Sequence, residues 1–191
     1  MAICCGDAQA GVQYLEDCLE QLEGMRYFML STGFRLSQVE GLIANGSPDG
    51  ALALVGESIR QIEMNGDLVH MPEALRMKAD ALLRLPHPRA GEAERCLIES
   101  LNWSRRQRAR SWELRAATDL ASLWASQQQP DRARAVLAPI FESFSEGFDT
   151  TDLMAAAELL ATLTSKTSKR SCPSSRGADE AAAGSRSARL R

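Results

Sequence analysis

The segment Ala93-Glu94-Arg95-Cys96-Leu97 places a large apolar residue four positions after a small one. The same outline occurs earlier in Ala51–Val55 and later in Ala133–Leu137, at nearly equal intervals along the chain. Each copy follows a turn that contains proline, and four positions are about one helical turn. A repeat of this length is the signature of stacked helix pairs, in which each pair buries apolar surface against the next. The sequence therefore predicts a helical array.

Apolar residues at spacings of three and four extend this pattern to both sides of each copy. In the last pair, Ala117, Leu120, Ala121 and Trp124 fall on one face of a helix. We therefore predict an all-α fold, a right-handed antiparallel helix-pair solenoid of about eight helices. The predicted helices are Ala8–Leu22, Tyr27–Ala44, Pro48–Glu63, Pro72–Leu85, Arg89–Gln107, Ser111–Gln127, Pro130–Phe144 and Thr151–Leu163.

Several predicted helix ends carry residues that favour initiation or termination. Ser47 precedes Pro48, which matches an N-cap followed by proline at the first helical position. Ser111 is a second candidate N-cap, and Asn65-Gly66 predicts a helix end.

Longer segments of the chain resemble a known repeat family. Small and bulky residues at these positions are similar to the tetratricopeptide repeat, although the period here is about seven residues longer than the usual 34. The chain over Ala8–Leu163 further resembles the C-terminal repeat region of bacterial multidomain proteins that join a class III adenylate/guanylate cyclase or a transcriptional regulator to a P-loop ATPase. The segments that carry this resemblance are Pro72–Ala79, Ala109–Ala117, Ala133–Phe141 and Phe144–Leu153. No GxxxxGK[ST] phosphate-binding loop occurs in the sequence.

The domain prediction has three parts. Residues 1–7 are predicted to be a disordered N-terminus, 8–164 the tetratricopeptide-like repeat domain, and 165–191 a disordered basic tail rich in Ser, Ala and Arg. Ala10 and Tyr14 lie one repeat before Ala51 and Val55, so the array is predicted to begin midway through a repeat. We expect either a fragment of a larger cyclase/ATPase-type protein, or a stand-alone chain whose incomplete N-terminal end self-associates or is covered by a partner.

The charge distribution separates the tail from the rest of the chain. Seven Lys/Arg and two Asp/Glu follow Thr164, so the tail carries +5, and with a net charge of −3 the remainder carries −8. An acidic body argues against nucleic-acid binding, which needs clustered cations. No secretory signal and no apolar run of about 20 residues is present, which argues against a membrane span and predicts a cytoplasmic protein with reduced cysteines.

The residues that usually carry chemistry do not form a convincing site. His70 and His87 both fall in predicted loops without ligands at suitable spacing, so no metal site is expected. Cys96 adjoins Leu97 on a packed helix, where a thiol is inert. The sequence predicts no enzyme activity and no cofactor.

The predicted function is therefore a protein–protein interaction scaffold of a bacterial signalling or regulatory system. The partner would be a protein or peptide in the concave groove that the first helix of each pair lines. Two alternatives are a structural spacer without its own ligand and a regulatory subunit that senses a small ligand. From helical phase, the exposed groove positions are predicted to be Arg76, Asp80, Arg115, Asp119 and Ser122.

Overall fold

The computed structural model of the chain describes residues 8–24 and 31–170. These residues form eight α-helices and one 3₁₀ turn, and no strand occurs among them, so the all-α prediction is confirmed. The helices are α1 (Ala8–Gly24), α2 (Ser31–Ala44), α3 (Pro48–Asn65), α4 (Met71–Arg84), α5 (Ala90–Gln107), α6 (Arg110–Ser126), α7 (Pro130–Glu142) and α8 (Thr151–Arg170), with the 3₁₀ turn at Leu68–His70.

Helix packing follows the order of the chain. Each helix contacts the next one, and α2, α4, α6 and α8 also contact one another in succession. The even-numbered helices therefore form one layer, and the odd-numbered helices pack behind it. This arrangement is compatible with a helical solenoid, in which each unit contacts only its neighbours.

The repeated small and large residues occupy the core. Ala51, Ala93 and Ala133 are fully buried, and Val55, Leu97 and Leu137 are buried four residues later. A methyl side chain allows two helix backbones to approach closely, while the larger residue fills the space one turn away. One core cluster joins α2, α3 and α4 and another joins α4 to α8, so α4 contributes to both.

The turn after α3 shows why helices end where they do. Gly66 adopts the left-handed conformation (φ 71°), and its N–H donates to the carbonyl of Ile62. Glycine adopts this conformation at little cost, so the end predicted at Asn65-Gly66 is confirmed. Ser47 and Pro48 do occupy the N-cap and first helical positions of α3, but the hydroxyl of Ser47 makes no capping hydrogen bond.

Three predicted boundaries differ from the structure. Ser111 lies inside α6, because Ala109 is the N-cap residue and its carbonyl accepts the N–H of Glu113. The break predicted between Gln107 and Ser111 is shorter in the structure, where α5 and α6 are separated only by Arg108 and Ala109. At the end of the array, α8 continues to Arg170, so the tail boundary predicted at residue 165 falls within a helix.

The buried residues of helix α1 do not follow the repeat spacing, although Ala10 and Tyr14 lie one repeat before the buried Ala51 and Val55. Val12 and Leu19 face the core, whereas Ala10 and the side chain of Tyr14 are exposed. The reason is that the packing partner of α1 is α2. The predicted disordered residues 1–7, the start of the second helix at Tyr27 and residues 171–191 of the predicted tail lie outside the described part of the chain.

Candidate binding groove

A groove runs across the layer of even-numbered helices and contains two adjoining concave pockets. The larger has a volume of about 520 Å³ and lies between the C-terminal halves of α4 and α6. The smaller, of about 370 Å³, lies between the N-terminal halves of α4 and α6, with residues from α2 and α8. Arg76 and Asp119 line both pockets and form the boundary between them.

The floor and the rim of the larger pocket differ in chemistry. Apolar side chains line its floor, among them Ala79, Leu83 and Leu123. Asp80 and Arg84 form an ion pair on its rim, with Arg84 Nε 2.7 Å from Asp80 Oδ1. A peptide side chain could bury apolar surface here while its polar atoms reach charged partners.

An ion-pair network crosses the groove from α4 to α6. Arg76 donates to both carboxylate oxygens of Glu73, with Nη2 2.7 Å from Oε1 and Nε 3.0 Å from Oε2. Its remaining Nη1 donates to Asp119 Oδ2 at 2.9 Å. Glu73 and Asp119 thus fix the guanidinium plane of Arg76, and two parallel bonds of this kind are strong and directional.

A second arginine extends the network to α8. Arg115 Nε donates to Asp152 Oδ2 at 2.7 Å, and its Nη1 lies 3.8 Å from Glu73 Oε1. The structure therefore links three even-numbered helices through Glu73, Arg76, Arg115, Asp119 and Asp152, and these contacts hold the groove wall in one geometry.

All five predicted groove residues line the two pockets, but their environments differ from the prediction. Ser122 is exposed as expected. Arg76, Asp80, Arg115 and Asp119 are half-buried and engaged in ion pairs, because the neighbouring helices and turns supply opposite charges. Their side chains build the groove wall, so only Ser122 fits the predicted description of an exposed position.

Three groove carboxylates are absent from the set predicted by helical phase. Glu73 is nearly buried and pairs within its own helix, Asp152 lies in the first turn of α8, and Glu40 lies on α2. The sequence separation of the charged residues could have indicated the ion pairs between helices. Arg76 and Asp119 are 43 residues apart and Arg115 and Asp152 are 37 apart, each close to one repeat.

Carboxylates outnumber guanidinium groups along the groove. The residues that line the two pockets carry a formal excess of two negative charges. They are Glu40, Glu73, Asp80, Asp119 and Asp152 against Arg76, Arg84 and Arg115.

Burial and the neighbouring charges shift the pKa values of Asp119 and Arg76. Burial raises the pKa of Asp119 above its usual 3.8, and Asp80 and Glu73 add to the rise, while Arg76 lowers it only in part. For Arg76, burial alone would lower the pKa, but the hydrogen bonds and charges of Glu73 and Asp119 outweigh it and raise the pKa. Arg76 therefore stays charged, whereas Asp119 holds its proton more tightly than a solvated aspartate does.

We expect Asp119→Asn to unfold at a higher temperature than the native chain at about pH 7, and at the same temperature at about pH 3. A raised pKa means that the folded state binds the proton more tightly than the unfolded state, so the native chain loses stability as pH rises through that pKa. Asparagine can still accept from Arg76 but does not ionise. Because the Asp119 side chain is 40% exposed, the gain should stay below about 1 kcal/mol.

Thermal unfolding followed by circular dichroism at both pH values measures this difference. Glu158→Gln, at an exposed position of α8, is the control and should not show the same pH-dependent gain. A lower unfolding temperature for Asp119→Asn at about pH 7 would mean that the ion pair with Arg76 outweighs the burial of the carboxylate.

Of the other residues considered for chemistry, Cys96 and His70 lie beside packed side chains, whereas His87 is exposed between α4 and α5. Burial raises the pKa of the Cys96 thiol, as its place on a packed helix predicts. The His70 ring lies 6.3 Å from that of Trp112. Trp124 is buried and donates to Glu94 Oε1 at 2.8 Å. Over residues 8–24 and 31–170, no three His, Cys, Asp or Glu residues are grouped so as to hold a metal ion.

Comparison of the chain with protein-family models, curated proteins and solved structures gave no match. In the described part of the chain, no helix has both the length and the apolar character needed to cross a membrane.

Proposed function

We propose that this protein is an interaction scaffold that binds a protein or peptide segment in the groove across α2, α4, α6 and α8. The supporting observation is the pair of adjoining pockets, with apolar side chains such as Leu83 and Leu123 between charged rims. Grooves on helical layers accept helices or extended peptides because side chains of the ligand can alternate between apolar and polar contacts. The sequence resemblance to repeat regions of bacterial signalling proteins supports a place in a regulatory system.

The network gives this groove a preformed geometry. Arg76 and Arg115 are each held by carboxylates from other helices, so a ligand would meet side chains that are already ordered. Preorganisation lowers the entropy lost on binding. It also means that substituting these arginines would disturb helix packing as well as a ligand, so a test needs a position that supports no other helix.

Ser122 provides such a position, and we expect Ser122→Arg to abolish capture of groove partners. Ser122 is exposed and lines the larger pocket, so a long cationic side chain would fill the space and alter its charge. The control is Ala135→Arg, at an exposed position of α7 on the other layer, which adds the same charge. Proteins captured by the native chain are identified by mass spectrometry and then quantified with both variants.

The two variants distinguish an interaction scaffold from a structural spacer. Partners lost only with Ser122→Arg support the groove. Equal capture by the native chain and Ser122→Arg would contradict it, and no capture at all would favour a structural spacer. Circular dichroism of both variants checks that the helices remain folded.

A small-ligand sensor is the second candidate, and the volume of the larger pocket favours it. At about 520 Å³ the pocket falls within the range of small-molecule sites, which is roughly 300–1,000 Å³. A ligand that binds only the folded state raises the unfolding temperature as its concentration rises. A ligand-dependent rise in the native chain that is absent in Ser122→Arg would support this reading.

A further inference from the structure

The negative charge of the groove is concentrated in the smaller pocket. In the larger pocket two aspartates are matched by two arginines, so its formal charge is zero. The charged residues of the smaller pocket are Glu40, Glu73, Asp119, Asp152, Arg76 and Arg115. Four carboxylates against two guanidinium groups leave two negative charges, so all of the excess lies in the smaller pocket.

Glu40 carries one of these two unbalanced charges. It is exposed on α2, and no residue in the described part of the chain forms a hydrogen bond or an ion pair with it. The second unbalanced charge arises because Glu73 and Asp119 share the one guanidinium of Arg76. The Glu40 carboxylate is therefore open to a donor from a ligand, and its substitution removes no polar contact between described helices.

The carboxylates around Asp119 also repel one another. Burial is the first cause that raises the pKa of Asp119, and the negative charges of Asp80 and Glu73 raise it further. The charge of Arg76 lowers this pKa but does not cancel the rise. A cation bound in the smaller pocket would offset the repulsion, so this part of the groove favours a positively charged ligand.

The arrangement of the smaller pocket suits a cationic side chain. Its carboxylates come from α2, α4, α6 and α8, so they line the pocket on several sides. A guanidinium has five N–H donors in one plane and an ammonium has three, so either can bind more than one carboxylate. A carboxylate oxygen also accepts more than one hydrogen bond, which allows Asp152 to keep Arg115 while it accepts from a ligand. The pocket therefore fits an arginine or a lysine of a peptide.

The apolar floor of the larger pocket lies beside this acidic pocket. Glu73 in the smaller pocket and Asp80 in the larger are two helical turns apart on α4, which is about 10 Å. An extended peptide covers that distance in about three residues. A ligand that fills both pockets therefore carries its basic residue about two to four positions from an apolar one.

We propose that the partner of the groove is a basic peptide segment whose arginine or lysine binds Glu40 in the smaller pocket and whose nearby apolar side chain packs on Leu83 and Leu123 in the larger. This inference rests on the proposed binding groove and defines the chemistry of its partner. Opposite charges speed association, and like charges disfavour acidic segments of the same apolar content. The groove thus selects its partner by charge as well as by apolar contact.

The test selects ligands for the full chain from a phage-displayed library of random peptides. We expect the selected peptides to share an arginine or lysine about two to four positions from a large apolar residue. One selected peptide is synthesised with a fluorescent label, and its affinity is measured by fluorescence anisotropy. Glu40→Lys should weaken its binding at least about fivefold, because a rim carboxylate becomes a like charge.

The matched control is Glu99→Lys, which makes the same change of charge at an exposed position of α5 on the other layer. It should leave the affinity within about twofold of the native value. A second control replaces the basic residue of the peptide with glutamine. If that residue binds Glu40, the neutral peptide should bind the native chain and Glu40→Lys about equally.

Several results would overturn the proposal. These are selection of no peptide, selected peptides without a shared basic residue, equal affinity for the native chain and Glu40→Lys, or an equal loss with Glu99→Lys. The groove itself is tested separately by Ser122→Arg. Peptides that are lost with Ser122→Arg but are insensitive to Glu40→Lys would keep the groove and exclude a basic partner. Peptides insensitive to both substitutions would contradict the groove as well.

Discussion

Replacing Leu120 with alanine is expected to lower the free energy of unfolding by about 3 kcal/mol. Leu120 is 1% exposed at the centre of α6, in the core cluster that joins α4 to α8. Alanine removes apolar surface from the core and leaves a cavity, which together cost about 2–5 kcal/mol for buried leucines. Helix α6 contacts α4, α5, α7 and α8, so the cavity would weaken both layers.

Urea unfolding followed by circular dichroism measures this loss. Leu68→Ala is the matched control, because Leu68 is 38% exposed in the turn before α4 and should lose less than about 0.5 kcal/mol. If the two variants lost equal stability, the packing of α6 between its neighbours would be incorrect.

Glu73→Gln is expected to cost about 2 kcal/mol, the second-largest effect. Glu73 is 9% exposed and accepts two hydrogen bonds from Arg76, with Arg115 also nearby. Glutamine has nearly the same shape but no charge, and its amide would present a donor to a guanidinium that only donates. Removing one partner of a buried pair usually costs about 3–5 kcal/mol, and the effect is smaller here because Arg76 keeps Asp119 and is partly exposed.

The control for this prediction is Asp80→Asn. Asp80 pairs with Arg84, whose side chain is 58% exposed, so its loss should cost less than about 0.5 kcal/mol. Both variants are compared by urea unfolding at the same pH. If Glu73→Gln left the free energy of unfolding unchanged or raised it, the cost of burying the carboxylate would equal or exceed the stabilisation from its ion pairs. The contrast with Asp119→Asn is informative, since Asp119 contributes a single bond to the same guanidinium.

The helices could be predicted from the sequence because helix formation depends mainly on residues that are close to one another along the chain. The apolar spacing that includes Leu120 placed helices within a few residues of most of their observed ends, and Gly66 marked a termination that the backbone confirms. The prediction that Ser111 is an N-cap was wrong, because α6 already begins at Arg110. A serine just before a run of apolar residues has the features of an N-cap even when it lies in the first turn of the helix. Helix α1 was predicted from the sequence, but the sequence did not show which of its residues are buried, since that depends on its packing against α2.

The candidate groove was only partly predictable. Helical phase correctly placed Ser122 and the four charged residues on one layer, because phase is a property of a single helix. It could not show that Arg76 is shared between Glu73 and Asp119, since a pair 43 residues apart forms only when two helices stack. The buried carboxylate of Glu73 was missed because the prediction sought exposed residues.

Local periodicity was enough to establish that this protein is made of helices and which residues of most helices are buried. It fixes where side chains lie around a helix axis, and that needs no knowledge of other helices. Which charges meet and which helices line the groove became clear only from the packed helices. These properties depend on the relative placement of helices that lie one repeat apart in the chain. That placement is set by how Ala, Leu and Trp side chains fill the space between layers.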